Sequence, residues 1–174
     1  MAHFERYNSH SSIPNHLNVG LERNSYNTCE EDYNCAGYAL NLYYWLNLTS
    51  PTFELPYEYQ DEILDPNEFN YILETEWIAD LLSFMEGKIR LLNSGDIIEE
   101  DEYLVYFRLG HYLESIEYAD FHFVKQDKNG KLTHKAGAKE IMDFVGDVYN
   151  DWQNPYNEFL IYDGPIYLFA VKDF

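Results

Sequence analysis

The stretch "NCAGYALNLYYWL" (residues 34–46) puts Cys35 directly after Asn34, where an apolar, aromatic-rich run begins. A thiol attacks as thiolate, and the first turn of a helix favours that anion through its unpaired N–H groups. Asn34 is a good N-cap. Cys35, Ala39, Leu42, Tyr43 and Leu46 follow the spacing of one buried helical face, so the pattern predicts a helix over about residues 35–47 with Cys35 at its first position. A cysteine hydrolase also needs an imidazole to take the thiol proton and a third polar group to hold that imidazole in one tautomer. His122 and His134, in "DFHFVKQDKNGKLTHKAG" (residues 120–137), offer those parts.

Whether the two histidines meet depends on the turn between them. If Lys128, Asn129 and Gly130 form a three-residue loop with Gly130 left-handed, Asp127 pairs with Lys131 and Val124 lies opposite His134. His122 shares a face with Val124, so the histidines become diagonal neighbours, about 7 to 8 Å apart between backbones. A two-residue Asn-Gly turn would instead send His134 to the other face. The residues permit both turns.

Around these residues the chain reads as one α+β domain spanning residues 1–174. Residues 1–33 are polar and turn-rich, an irregular lead-in. Residues 49–87 hold Pro51, Pro56 and Pro66 and then a helix over about 74–85, with Trp77, Leu81, Phe84 and Met85 on its apolar face. After that the periodicity changes. "KIRLL" (88–92), "EYLVYFRL" (102–109), "DFHFVKQ" (120–126), "KLTHKA" (131–136) and "IYLFAVK" (166–172) predict an antiparallel sheet of about five strands. Residues 139–152 read as a helix or an irregular crossover, weakened as a helix by Gly146 and the valines.

Asn34-Cys35-Ala36-Gly37-Tyr38 resembles the nucleophile motif of NlpC/P60-type papain-like cysteine peptidases, in which an acidic residue, Cys, a small residue, Gly and an aromatic follow one another. "FHFVKQDKNGKLTHKAG" resembles the paired strands of that family. The resemblance implies a papain-like fold, with N-terminal helices packed on the sheet, Cys35 as nucleophile, His122 as base and His134 as the orienting group. It also makes residues 49–87 an insertion between nucleophile helix and sheet. Asn34 stands where the family has an acid. For the oxyanion the backbone N–H of Cys35 is the first donor, with Asn34, Asn27 or Tyr33 as side-chain helpers. "NCAGYAL", "DFHF", "HKAG" and "YDGP" further resemble small proteins encoded by bacteriophages and bacteria.

Charge narrows the partners. With 31 acidic and 11 basic side chains the formal net charge is -20, which disfavours direct nucleic-acid binding and anionic membranes and suits a basic protein surface. No stretch approaches the roughly 18 apolar residues of a membrane span or forms a signal peptide, so the expectation is a cytoplasmic protein with reduced thiols, in the host cytoplasm if phage-encoded. Cys29 reads as structural. His3, His10, His16 and His111 read as solvated, and "EEDE" (99–102) as a solvated turn. Cys35, His122, His134 and Asp120 have the ligand types for zinc but not its close ligand spacing, so no metal or other cofactor is expected.

Two functions fit. One is a cysteine hydrolase or acyltransferase acting on a peptide, amide or isopeptide bond. The other is an acidic, phage-type interaction or inhibitor protein that keeps this fold without its chemistry and occupies a host protein.

Overall fold

The computed structural model describes residues 5–7, 33–42, 45–47, 78–114 and 120–173. Within them lie two short helices, α1 (Cys35–Ala39) and α2 (Ile78–Phe84), and ten strands. Strands β1 (Glu5–Tyr7) and β2 (Trp45–Asn47) form an antiparallel pair of their own. The other eight build one antiparallel sheet: β3 (Ile89–Leu91), β4 (Glu102–Tyr112), β5 (Asp120–Gln126), β6 (Leu132–Lys135), β7 (Ile141–Asp143), β8 (Trp152–Asn154), β9 (Asn157–Tyr162) and β10 (Tyr167–Lys172). The main path runs β3-β10-β4-β5-β6-β7. The fold is thus mixed but dominated by its sheet. No described helix is long and apolar enough to cross a membrane.

All five expected strands are present, and β7, β8 and β9 add three that the patterning did not show. Residues 139–152 contain no helix; β7 and turns occupy them. Short strands that bury two side chains or fewer, none in β7, Trp152 in β8 and Leu160 and Tyr162 in β9, carry too little alternation to be read. Strands β9 and β10 run along the same edge of β4. His111 faces Ile161 while Phe107 faces Tyr167, so six steps on one side cover four on the other. The two extra residues are taken up at the Tyr162-Asp163-Gly164-Pro165 corner, where the Gly164 N–H donates to the Leu109 carbonyl.

The expected first helix stops at Ala39 instead of about residue 47. Asn41 takes a left-handed φ of 55°, the Leu42 N–H donates to the Gly37 carbonyl and the Asn41 N–H to the Tyr38 carbonyl. That pair of bonds is a Schellman ending, with Asn in the place where glycine is commonest. The apolar spacing continues past it, but as strand β2. Of the second helix, 78–84 is described; Leu81 and Met85 are buried and Phe84 is exposed. The lead-in, expected to be irregular, contains β1. Trp77, Tyr43, Asn27, Cys29, His3, His10 and His16 lie outside the described residues, as do residues 49–77 of the expected insertion.

Both faces of the sheet are covered. Tyr103, Val105, Phe107, Leu109, Phe123, Phe169 and Val171 form one core with α1 and α2. The residues between them in sequence, Tyr106 and Val124, join Val148, Trp152, Leu160 and Tyr162 in a second core, built by the β7–β9 segment. The "EEDE" turn is not all solvated: Glu102 is buried and holds Arg90 in a two-point contact with 2.7 and 2.8 Å bonds.

Candidate active site

The hairpin between β5 and β6 has the three-residue loop. Gly130 has φ 83°, the Asp127 N–H donates to the Lys131 carbonyl at 3.0 Å, and Val124 pairs with His134. Asp127 Oδ1 accepts from the N–H groups of Asn129 and Lys131, fixing the loop from inside. His122 and His134 therefore face the same side, and His122 Nε2 lies 2.9 Å from His134 Nδ1. That leaves Nδ1 of His122 as its available ring nitrogen.

Cys35 lies on the other face of the sheet, in the core that α1 shares. The pairing of β6 with β5 begins at Val124, so residues 120–123 have no β6 partner, and α1 packs beside that uncovered edge. Asn34 Oδ1 caps α1 by accepting from the Gly37 N–H at 3.1 Å. The sheet then holds the helix by polar contacts: Tyr38 and Thr133 share a 2.7 Å hydroxyl bond, and the Tyr103 hydroxyl donates to the Ala39 carbonyl at 2.8 Å. The Lys125 ammonium donates to Asn41 Oδ1 and lies over the rings of Tyr38 and Tyr103. Buried Lys135 donates to the carbonyls of Tyr33 and Gly137, joining the approach to α1 to the loop after β6.

At this seam lies an open cleft of about 410 Å³. Asn34, Cys35, Asp120, His122 and Tyr162 line it, with Lys139, Asn154, Tyr156 and Asn157 among the remaining lining residues. Cys35, His122 and His134 are each about one-twentieth exposed.

That burial sets the charge states. Desolvation, with a smaller contribution from the Asp120 carboxylate, pushes the Cys35 thiol up to about 12, against the opposing pull of the Phe123 and Ala36 N–H groups and Lys135. Desolvation and the neighbouring His134 bring His122 down to about 3, and burial also lowers His134. Cys35 and His122 therefore rest as neutral thiol and neutral imidazole, not as an ion pair. A helix of five residues has little dipole to set against this.

The other expected site residues divide. Asn34 lines the cleft, its side-chain oxygen engaged as the cap. Tyr33 is fully buried beneath the Lys135 ammonium and is not among the residues lining the cleft, which corrects its expected place as an oxyanion helper. Among the described residues no group of three or more His, Cys, Asp or Glu side chains is placed to hold a metal ion. His111, expected to be solvated, is paired with Asp163 at 2.9 Å.

Two cleft residues were not legible as such. In the sequence Asp120 stands out only as a metal-ligand type, and Tyr162 only as part of "YDGP". The Tyr162 ring stacks on His122, with centroids 5.1 Å apart and planes at 29°, and its hydroxyl donates to Asp120 Oδ2 at 2.8 Å. Burial raises both of their pKa values. Comparison of the chain with protein-family models, with curated proteins and with solved structures returned no match.

Proposed function

We propose that the chain is a papain-like cysteine hydrolase or acyltransferase acting on a peptide, amide or isopeptide bond, with Cys35 as nucleophile, His122 as base and His134 as orienting group. The observation that carries this is one cleft lined by both Cys35 and His122, with His134 behind it 2.9 Å from His122. In the productive tautomer His122 Nε2–H donates to His134 Nδ1, which puts the His122 lone pair on Nδ1. As a substrate carbonyl enters, the Cys35 proton passes to that nitrogen while Sγ bonds to the carbonyl carbon. The backbone N–H of Cys35 stabilises the developing oxyanion. Protonated His122 then gives its proton to the leaving nitrogen, the C–N bond breaks and an acyl-enzyme remains. Water or an acceptor amine, deprotonated by His122, attacks the thioester, and the thiol leaves with that proton.

Because thiol and imidazole both rest neutral, the free protein should react slowly with simple alkylating agents and faster with a reagent that occupies the cleft. The test is a peptidyl electrophile followed by intact mass and tandem mass spectrometry. One adduct, on Cys35, is expected; it should be lost in Cys35→Ala and slowed about 100-fold or more in His122→Gln. Labelling of the unfolded chain only would overturn the hydrolase.

The near-complete burial of the thiol, at about 12, favours a second reading: an acidic interaction protein on an inactive papain-like fold, binding a basic host protein surface. In that case the biological effect survives Cys35→Ala and is lost when clustered surface carboxylates are reversed.

A further inference from the structure

We propose that Tyr162 is a positioning residue for His122, and that Gly110 and Asp120 are present to seat it. The geometric part stands independently of any reaction; its effect on rate rests on the hydrolase proposed above.

Three strands converge where Tyr162 enters. Gly110 of β4 pairs with Asp120 of β5, and the next residue of β4, His111, pairs with Ile161 of β9. Tyr162 follows Ile161, and its ring lies over Gly110. A Cβ at Gly110 would sit 2.4 Å from Tyr162 Cδ1 and 2.7 Å from Cε1. Gly110 is not in the left-handed region. The need for glycine here is therefore steric: any side chain would take the volume that the ring fills.

The ring is then held at its root by β9, at its tip by Asp120 Oδ2 and across its face by His122. Trp152 closes on the same imidazole with its edge, centroids 6.2 Å apart at 80°. The bond to His134 fixes one end of the His122 ring but does not by itself set the ring plane. Stacking on Tyr162 supplies the missing constraint on the ring plane, and so on the direction of Nδ1. A base is useful only when its lone pair points at the proton it removes, which makes a packed neighbour of this kind a determinant of rate. The hydroxyl bond to Asp120 keeps the ring from swinging into the cleft.

Long-range proton–nitrogen spectra of histidine-labelled protein and the saturating rate of Cys35 acylation by the peptidyl electrophile test this together. Wild type should give one sharp His122 tautomer. Tyr162→Leu should give an exchange-broadened or mixed one and lower the saturating rate about tenfold or more, with half-saturation little changed. Tyr162→Phe, which keeps the ring but loses the bond to Asp120, should fall between wild type and Tyr162→Leu in both readouts. Gly110→Ala should reproduce the Leu phenotype with every other side chain intact, and should add nothing once Tyr162 is already Leu. An unchanged His122 tautomer in both Tyr162→Leu and Gly110→Ala would overturn the positioning role. If wild type is never acylated, the hydrolase fails, and the spectra still decide whether Tyr162 orders His122.

Discussion

The two faces of the sheet bury their surface in different ways. On the helix side the core is Val105, Phe107, Leu109, Phe123, Phe169 and Val171, and two of the polar groups drawn into it, Lys125 and Lys135, end on oxygens and aromatic rings. On the opposite side two histidines and Arg108 sit inside an aromatic cage of Trp152, Tyr162 and Phe144. The first face works as adhesive, and its task is to dock α1. The second face isolates titratable groups from water and orders them. The thiol belongs to one and the imidazoles to the other, and the cleft that Cys35 and His122 both line lies where β6 leaves β5 uncovered.

Matched truncations are the strongest way to break that contrast. Phe169→Ala on the helix side and Trp152→Ala on the other should each cost about 3–5 kcal/mol, read by denaturant unfolding. Only Trp152→Ala should also disturb the His122 ring signals; equal disturbance by both would erase the distinction between the faces.

Acid is the next largest probe. An unfolded chain protonates its histidines near pH 6.5, whereas His122 is held down to about 3 in the fold. Between those values the unfolded state binds the extra proton, so stability should fall as pH drops below about 6.5, by up to about 1.4 kcal/mol per unit from His122. His134 acts in the same direction. Asp120, raised by burial, acts in the opposite one: above its usual pKa the fold keeps its proton longer, which offsets part of the loss as pH falls. Unfolding curves at pH 7, 6 and 5 should show a steeper loss in wild type than in His122→Gln; parallel slopes would contradict the burial of that imidazole.

Smaller effects test the scaffold on each side. Asn34→Ala removes the cap of α1 and should cost about 1 kcal/mol, with a larger loss of Cys35 acylation than of stability. Gly130→Asn, at a φ that asparagine tolerates, should cost only a few tenths of a kcal/mol and leave the His122–His134 contact intact by the same spectra. Loss of that contact would mean that glycine itself is required for the hairpin register.

How legible each side was in the sequence follows the same division. The five central strands announce themselves through aromatic and β-branched runs ending at Gly, Asn or Asp turns. The histidine pair is decided locally, by one loop of three residues ending in Gly130, which is why spacing narrows it to two turns, of which the structure has the three-residue one. The length of α1 is not legible because the apolar repeat runs on past Asn41, and only the left-handed conformation of that residue reveals the stop. Strands β7–β9 were missed because each buries few side chains. Tyr162 could not be placed at all: its position depends on a two-residue slip between β9 and β10 against β4, a property of pairing between segments some 50 residues apart.

Lys135 gives the order in which such a site can assemble. Its ammonium joins the Tyr33 carbonyl, 102 residues earlier in the chain, to a carbonyl only two residues on. The β5–β6 hairpin and its histidines form from neighbouring residues, whereas the thiol arrives only after a loop of a hundred residues has closed, a step whose entropy makes it slow. Contact order therefore puts the cleft late in folding, and a chain caught before that docking would already hold its paired imidazoles without α1 beside them.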